Sequence, residues 1–213
     1  RYLTGIEDRQ LGVELFGKRH ALPFGIAPTG MPGVVWPGAD VTIAAAASAA
    51  YIPYTLATPG TASIEDVAKA APGNAWFQLY VPREQRVADD MVRRARDAGM
   101  GALLVTIDIP VPSKRERDLR NRFVLPLRPT ARHVYDLLRC PAWTLAQAKA
   151  GPPRFANYEP YAGPQASAME ITSYMTGQSC KGLDWREVDR LRALWPGPFL
   201  VKGVMALDDA LAA

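Results

Sequence analysis

The chain has 213 residues, 48% of them hydrophobic and 22% charged, with a net charge of +4, which is the composition of one ordinary globular domain. No apolar run approaches the roughly 18 residues of a membrane-spanning helix, and nothing around Arg1-Tyr2-Leu3 has the pattern of a secretory signal, so a cytoplasmic location is expected. Two histidines, His20 and His133, rule out an all-histidine metal triad; the two cysteines, Cys140 and Cys180, lack metal-ligand spacing and read as free thiols.

In chain order, the first strand candidate is Phe24–Ala27, and an alanine-rich helix follows over Ala39–Ala50, with Asp40 placed to favour the helix dipole. A second strand, Ile52–Leu56, leads to Ser63-Ile64-Glu65-Asp66, a capping box with Asp in place of Glu, which opens a helix through Ala71. The third strand is Ala75–Tyr80. Val87, Met91, Val92, Ala95 and Ala98 then share one helical face before Gly99 ends the helix. The fourth strand is Ala102–Ile107, an unbroken apolar run of the kind that is buried on both faces, closed by Thr106 and Asp108. The fifth is Phe199-Leu200-Val201, preceded by a helix capped by Asp184. The first four strands start about 23 to 28 residues apart, room for one strand, one helix and two loops. Repeating units of this kind predict a parallel α/β sheet. Two architectures compete, an open doubly wound sheet and a closed barrel. No G-x-G-x-x-G follows the first strand, and the polar strand ends favour the barrel, whose strands all open onto one mouth.

The stretch between the fourth and fifth strands breaks the period. From Lys114 to Arg132 it gathers seven cations against Glu116 and Asp118, and the long insertion or loop at about 128–182 mixes Val134, Tyr135, Leu137, Leu138 and Trp143 with arginines. A solvated loop is the plain reading. An anionic membrane surface is the functional one, which would place the protein peripherally on the inner membrane face. No recognition helix, zinc site or aromatic single-strand motif accompanies the charge, so no nucleic acid is expected.

The strand ends carry the chemistry. Thr29, Gln78 and Thr106 are neutral hydrogen-bonding groups suited to the edge of a flat heterocycle. Lys202 on a buried strand calls for an anionic partner, and a reduced flavin would provide one. Tyr80 and Arg115 suit a small carboxylate, and Asp108 could orient a basic histidine.

With these residues in view, the chain resembles the FMN-dependent α-hydroxy-acid oxidase and dehydrogenase family, a (β/α)8 TIM barrel. The resemblance rests on Ile26-Ala27-Pro28-Thr29-Gly30, Trp76-Phe77-Gln78-Leu79-Tyr80, Thr106-Ile107-Asp108, Arg115-Glu116-Arg117-Asp118 with Asn121-Arg122-Phe123, and Leu200-Val201-Lys202-Gly203. Gly30, Trp36-Pro37-Gly38 and Leu194-Trp195-Pro196 resemble its mandelate dehydrogenase branch. The resemblance implies FMN as cofactor, with the backbone at Pro28, Thr29 and Gly30 against the flavin, Gln78 and Thr106 on its pyrimidine edge, and Lys202 near its N1. It also implies that Tyr80 and Arg115 meet a small 2-hydroxy-acid substrate and that Asp108 pairs with a catalytic histidine. The implied reaction oxidises an (S)-2-hydroxy acid such as mandelate or lactate to the 2-oxo acid, with hydride passing to the flavin. A homo-oligomer is expected on the same ground.

Two departures stand out. Ala57 occupies a position where the family commonly has serine, so Thr58 or a backbone amide would have to replace one flavin hydrogen bond; Ser113 is a milder change. The larger one is the lack of the family's Ser-Asn-His-Gly-Gly-Arg motif, which neither His20 nor His133 replaces. Only about the first five strands are legible, so 1–213 reads as a partial barrel domain, truncated at both ends, that alone would be inactive and bind FMN weakly. The alternatives are a non-catalytic truncated barrel that binds a membrane or partner, and a different FMN- or phosphate-binding barrel enzyme.

Overall fold

The computed structural model describes residues 10–109, 116–121, 130–180 and 182–213. Its first element is an antiparallel hairpin absent from the sequence reading. Strand β1 (Val13–Leu15) pairs with β2 (Lys18–His20), Val13 opposite His20 and Leu15 opposite Lys18. The two turn residues, Phe16 and Gly17, have φ of 53° and 74°, both left-handed as a type I′ turn requires. Phenylalanine in place of the usual Asn is what conceals the turn in the sequence. Phe16 and His20 lie against Trp76, with ring centroids 5.7 and 6.4 Å away, and Lys18 Nζ donates to the Gly73 carbonyl at 2.7 Å.

The repeating units follow: β3 (Ile26–Thr29), α1 (Pro32–Val35), α2 (Ala39–Ala49), β4 (Tyr54–Ala57), α3 (Ile64–Ala70), β5 (Ala75–Tyr80), α4 (Gln85–Asp97) and β6 (Leu103–Thr106). After α5 (Glu116–Arg120) come α6 (Ala131–Arg139), α7 (Pro141–Ala150), α8 (Glu159–Ala162), α9 (Ala168–Gly177) and α10 (Trp185–Leu194), then β7 (Phe199–Lys202) and α11 (Leu207–Ala212). The first strand lies two residues later than its sequence prediction, and the others agree within two residues. The stretch expected as a long loop contains α6 to α9.

All five strands β3 to β7 are parallel and stand in sequential order. A doubly wound sheet reverses direction at a switch point; a barrel adds each strand beside the last. The order decides between the two architectures in favour of the first five strands of a barrel. Side chains alternate across the sheet. Phe77, Leu79, Leu103 and Val105 face the helices and are completely buried with Ile64, Val67, Val87, Met91 and Leu191. Leu104 and Leu200, one residue out of phase, lie on the opposite, half-buried face.

Polar groups fasten the layers. Asp40 does more than complement a helix dipole: wholly buried, its carboxylate accepts from the Tyr54 hydroxyl at 2.9 Å, the Thr61 amide at 2.8 Å and hydroxyl at 2.5 Å, and the Ala62 amide at 3.2 Å. Burial first, and then this carboxylate, push the Tyr54 phenol up, so it stays a donor. Ser63 caps α3 as expected, accepting the Asp66 amide at 3.0 Å, but the capping box is not completed: the Asp66 carboxylate accepts from the Ser63 hydroxyl at 2.8 Å instead of from the Ser63 amide. Asp184 caps α10 through the Glu187 amide at 3.0 Å. Glu65 and Arg94 form a two-pronged pair at 2.8 and 2.9 Å between α3 and α4.

Candidate active site at the strand ends

Because the five strands run the same way, their C-terminal residues gather at one end of the sheet. The register sets Ala57 beside Gln78, Tyr80 beside Thr106, and Thr106 beside Lys202. Gln78 and Thr106, both buried, meet directly: the Gln78 amide donates to Thr106 Oγ1 at 2.8 Å. That bond leaves the threonine proton available to a further acceptor. Gln78 Oε1 is buried and has no partner among the described residues. Such an atom is costly in isolation, and it makes the pair a matched donor and acceptor edge for a ligand that offers both. The pyrimidine edge of a flavin has that pattern of ring N–H and carbonyl oxygen, so the residues fit FMN.

Lys202 and Asp108 form an ion pair, Nζ to Oδ2 at 3.6 Å, with about 40% of each side chain exposed. The sequence reading assigned them different partners; the structure also brings them together. Gly203 makes this possible. Its φ is +95°, and a Cβ there would sit 2.5 Å from Asp108 Cβ and Cγ, so only glycine allows the carboxylate so close to the end of β7.

At the end of β3, Pro28 is half-buried while Thr29 and Gly30 are exposed. The Thr29 hydroxyl donates to the Ala27 carbonyl at 3.4 Å, and the loop continues to Met31, whose amide donates to the Pro59 carbonyl at 2.9 Å. Arg115, Ser113 and Lys114 lie outside the described residues, as does the stretch from 122 to 129. His20 is not at this end, and the His133 ring contacts the Asn121 carbonyl at 3.1 Å, in the segment that follows β6. His20 packs on Trp76, four residues or about 13 Å down the strand from Tyr80. His133 closes a capping box with Thr130 at the start of α6.

Two further residues support the site: Thr58, marked in the sequence only as a substitute for a missing serine hydroxyl, and Asn157, which the sequence did not mark. Thr58, completely buried, binds the backbone of β5 with its hydroxyl. Asn157, equally buried, reaches from the α7–α8 connection to donate to the Thr58 carbonyl at 3.4 Å and accept the Ile64 amide at 3.0 Å. Neither has a local signal, since its partners are 20 to 22 and 93 to 99 residues away in sequence. The α6–α9 region is fastened elsewhere too. Trp143 Nε1 donates to the Val35 carbonyl at 2.8 Å and Gln147 Nε2 to the Gly33 carbonyl at 2.8 Å, both in the turn of α1. Gln178 accepts the Glu84 amide at 3.1 Å and donates to its carboxylate at 2.6 Å, just beyond β5.

On the outer side of this region Tyr135, Leu138 and Leu145 are exposed, the two leucines at 76% and 70%. No helix among the described residues is long and apolar enough to cross a membrane.

Comparison with known proteins agrees with this fold. The FMN-dependent dehydrogenase family matches residues 1–213. The (S)-mandelate dehydrogenase of Pseudomonas putida is 39% identical over 209 residues, 98% of this chain and 52% of that protein. An L-lactate dehydrogenase of Vibrio parahaemolyticus is 31% identical over 211 residues, 99% of this chain and 55% of that protein. Among solved structures, the monotopic membrane protein (S)-mandelate dehydrogenase superposes with a TM-score of 0.91 at 38% identity, covering 99% of this chain and 56% of that one. A soluble mutant of the membrane-associated Pseudomonas putida enzyme gives a TM-score of 0.75 at 34% identity, covering 99% and 53%. The chain thus spans about half the length of the relatives it matches.

Proposed function

The chain belongs to the FMN-dependent dehydrogenase family, and we propose that it supplies the cofactor edge and part of the substrate site of an FMN-dependent (S)-2-hydroxy-acid dehydrogenase with a mandelate-like substrate. The observation that carries this reading is the buried Gln78–Thr106 pair with its unpartnered acceptor, flanked by the Lys202–Asp108 ion pair. FMN, when bound, supplies the two-electron acceptor. Gln78 and Thr106 hold its pyrimidine edge, and the Pro28–Gly30 backbone lies against the ring. Lys202, a cation at the end of β7, favours negative charge on the ring. Tyr80 and Arg115 bind the substrate carboxylate end, and Asp108 orients the base that takes the hydroxyl proton. Asp108 serves two neighbours, since it also balances Lys202; the pair keeps the local charge near neutral until an anionic substrate arrives.

The same reading includes a membrane face. The exposed Tyr135, Leu138 and Leu145 on α6 and α7, with Arg132 and Arg139 beside them, have the composition of a helix pair lying in an anionic lipid interface. The similarity to a monotopic membrane (S)-mandelate dehydrogenase, at a TM-score of 0.91, supports this assignment.

Anaerobic mixing of the full-length, FMN-loaded protein with (S)-mandelate, followed at the flavin absorbance, tests the enzymatic reading. The expected result is bleaching with (S)-mandelate and none with the (R) enantiomer; an unchanged spectrum with both mandelate and L-lactate would exclude it.

A further inference from the structure

Resting on that reading of the site, we propose that Thr58 is a positioning residue that sets the backbone of Gln78 and Tyr80 and does not itself bind the flavin. In a parallel ladder a residue donates its N–H to one carbonyl of the neighbouring strand and accepts, on its own carbonyl, the amide two residues further on. Thr58 begins this pattern: its amide donates to the Gln78 carbonyl at 2.9 Å. Its carbonyl does not complete it. The chain is already turning away at Pro59-Gly60, where the Gly60 amide returns to the Ala57 carbonyl at 2.8 Å, and the Thr58 carbonyl accepts instead from Asn157 at 3.4 Å.

The side chain takes over. Thr58 Oγ1 accepts the Tyr80 amide at 2.8 Å and donates to the Gln78 carbonyl at 2.6 Å. A hydroxyl therefore stands in for the missing main-chain carbonyl and extends the β4–β5 ladder beyond the last residue of β4. Tyr80 is the last residue of β5, and without this bond the segment carrying it would lose its restraint on the β4 side. Gln78 and Tyr80 project from the same face of β5 by strand alternation, so one hydroxyl fixes the backbone beneath both the flavin edge and the substrate contact. The only proton of the hydroxyl is engaged with Gln78, so it cannot replace the flavin hydrogen bond that a serine at position 57 would make. Thr58 supports the site through Gln78 and Tyr80.

The test uses the full-length, FMN-loaded enzyme with Thr58→Ser, Thr58→Val and Thr58→Cys. With (S)-mandelate, kcat per bound FMN is expected to stay within about twofold for Thr58→Ser and to fall about tenfold or more for Thr58→Val, because small displacements of positioned groups cost rate steeply. KM is expected to change less than kcat, and exchange of the Tyr80 amide hydrogen to accelerate in Thr58→Val and not in Thr58→Ser. A purely structural role would lower Tm while leaving kcat per bound FMN and Tyr80 exchange unchanged, and that outcome overturns the proposal. If Thr58→Val does not fold, Thr58→Cys, whose thiol is a weaker donor, decides by the same readouts. An enzyme that does not bleach with hydroxy acids overturns the function proposed above instead, and the Tyr80 exchange rate still decides whether the hydroxyl restrains the strand.

Discussion

Gly203 shows how much of this site depends on one missing atom. Its left-handed φ of +95° and the 2.5 Å approach of Asp108 to its Cβ position act together, so Gly203→Ala meets both backbone strain and overlap. A loss of about 2 kcal/mol is expected from the strain alone, read as a lower urea midpoint. The weaker Lys202–Asp108 contact should also raise the Kd for FMN. Gln78 and Lys202 were legible in the sequence because a polar group at the end of an apolar run needs a reason to be there. Thr58 was legible only as a substitute for the serine absent at position 57; its bonds to Gln78 and Tyr80 were not, because those partners lie 20 and 22 residues away. Asp40 was legible only in part: it does lie in the first turn of α2, as the helix dipole favours, but its partners Tyr54, Thr61 and Ala62 were not visible locally.

Among the helices, α3 and α4 are joined by the Glu65–Arg94 pair, and the same arginine extends to the Asn157 carbonyl at 3.3 Å. The hydrogen bond from Arg94 holds the Glu65 carboxyl below its ordinary range, against the opposing effect of burial. A carboxylate depressed in the folded state contributes stability that is present above its unfolded pKa and is lost as pH falls through the folded value. The contribution should therefore be complete at neutral pH, begin to fall only below the ordinary glutamate pKa of about 4, and be lost as pH drops through the lower folded value. In Glu65→Gln, urea midpoints are expected to be lower than wild type at pH 7 and the difference to narrow progressively as pH is lowered below about 4. Partial exposure of Glu65 keeps the difference small. The α6–α7 pair teaches a related lesson. Its apolar and basic residues were legible as an interfacial pattern, but its anchorage through α7 was not, because the carbonyls of Gly33 and Val35 that bind Gln147 and Trp143 are more than 100 residues away.

At the scale of the whole molecule, five sequential parallel strands present their ends to one mouth, and the α6–α7 pair projects an apolar face beside the loop that follows β3. If that face meets lipid, Leu138→Ser with Leu145→Ser in the full-length protein should reduce sedimentation with phosphatidylglycerol vesicles at least tenfold, since each buried leucine contributes about 2 kcal/mol. Flavin bleaching by (S)-mandelate should persist, because both leucines are exposed and neither is among the strand-end residues assigned to the flavin or substrate. Unchanged vesicle binding would remove the membrane face from the function.

The sequence by itself determined the strand–helix period, the barrel class, the family and the polar residues at each strand end, because hydrophobic periodicity, caps and short motifs are local properties written in consecutive residues. It did not contain the β1–β2 hairpin, whose turn uses an atypical residue, or the helical character of 128–182, where proline and glycine mask helices held by distant partners. Only the tertiary structure decided that Asp108 and Lys202 face each other across Gly203, that Gln78 keeps an acceptor for a ligand, and that the Thr58 hydroxyl completes the β4–β5 ladder. Each of these depends on backbone register and on hydrogen bonds between residues far apart in the chain, which a linear pattern does not specify.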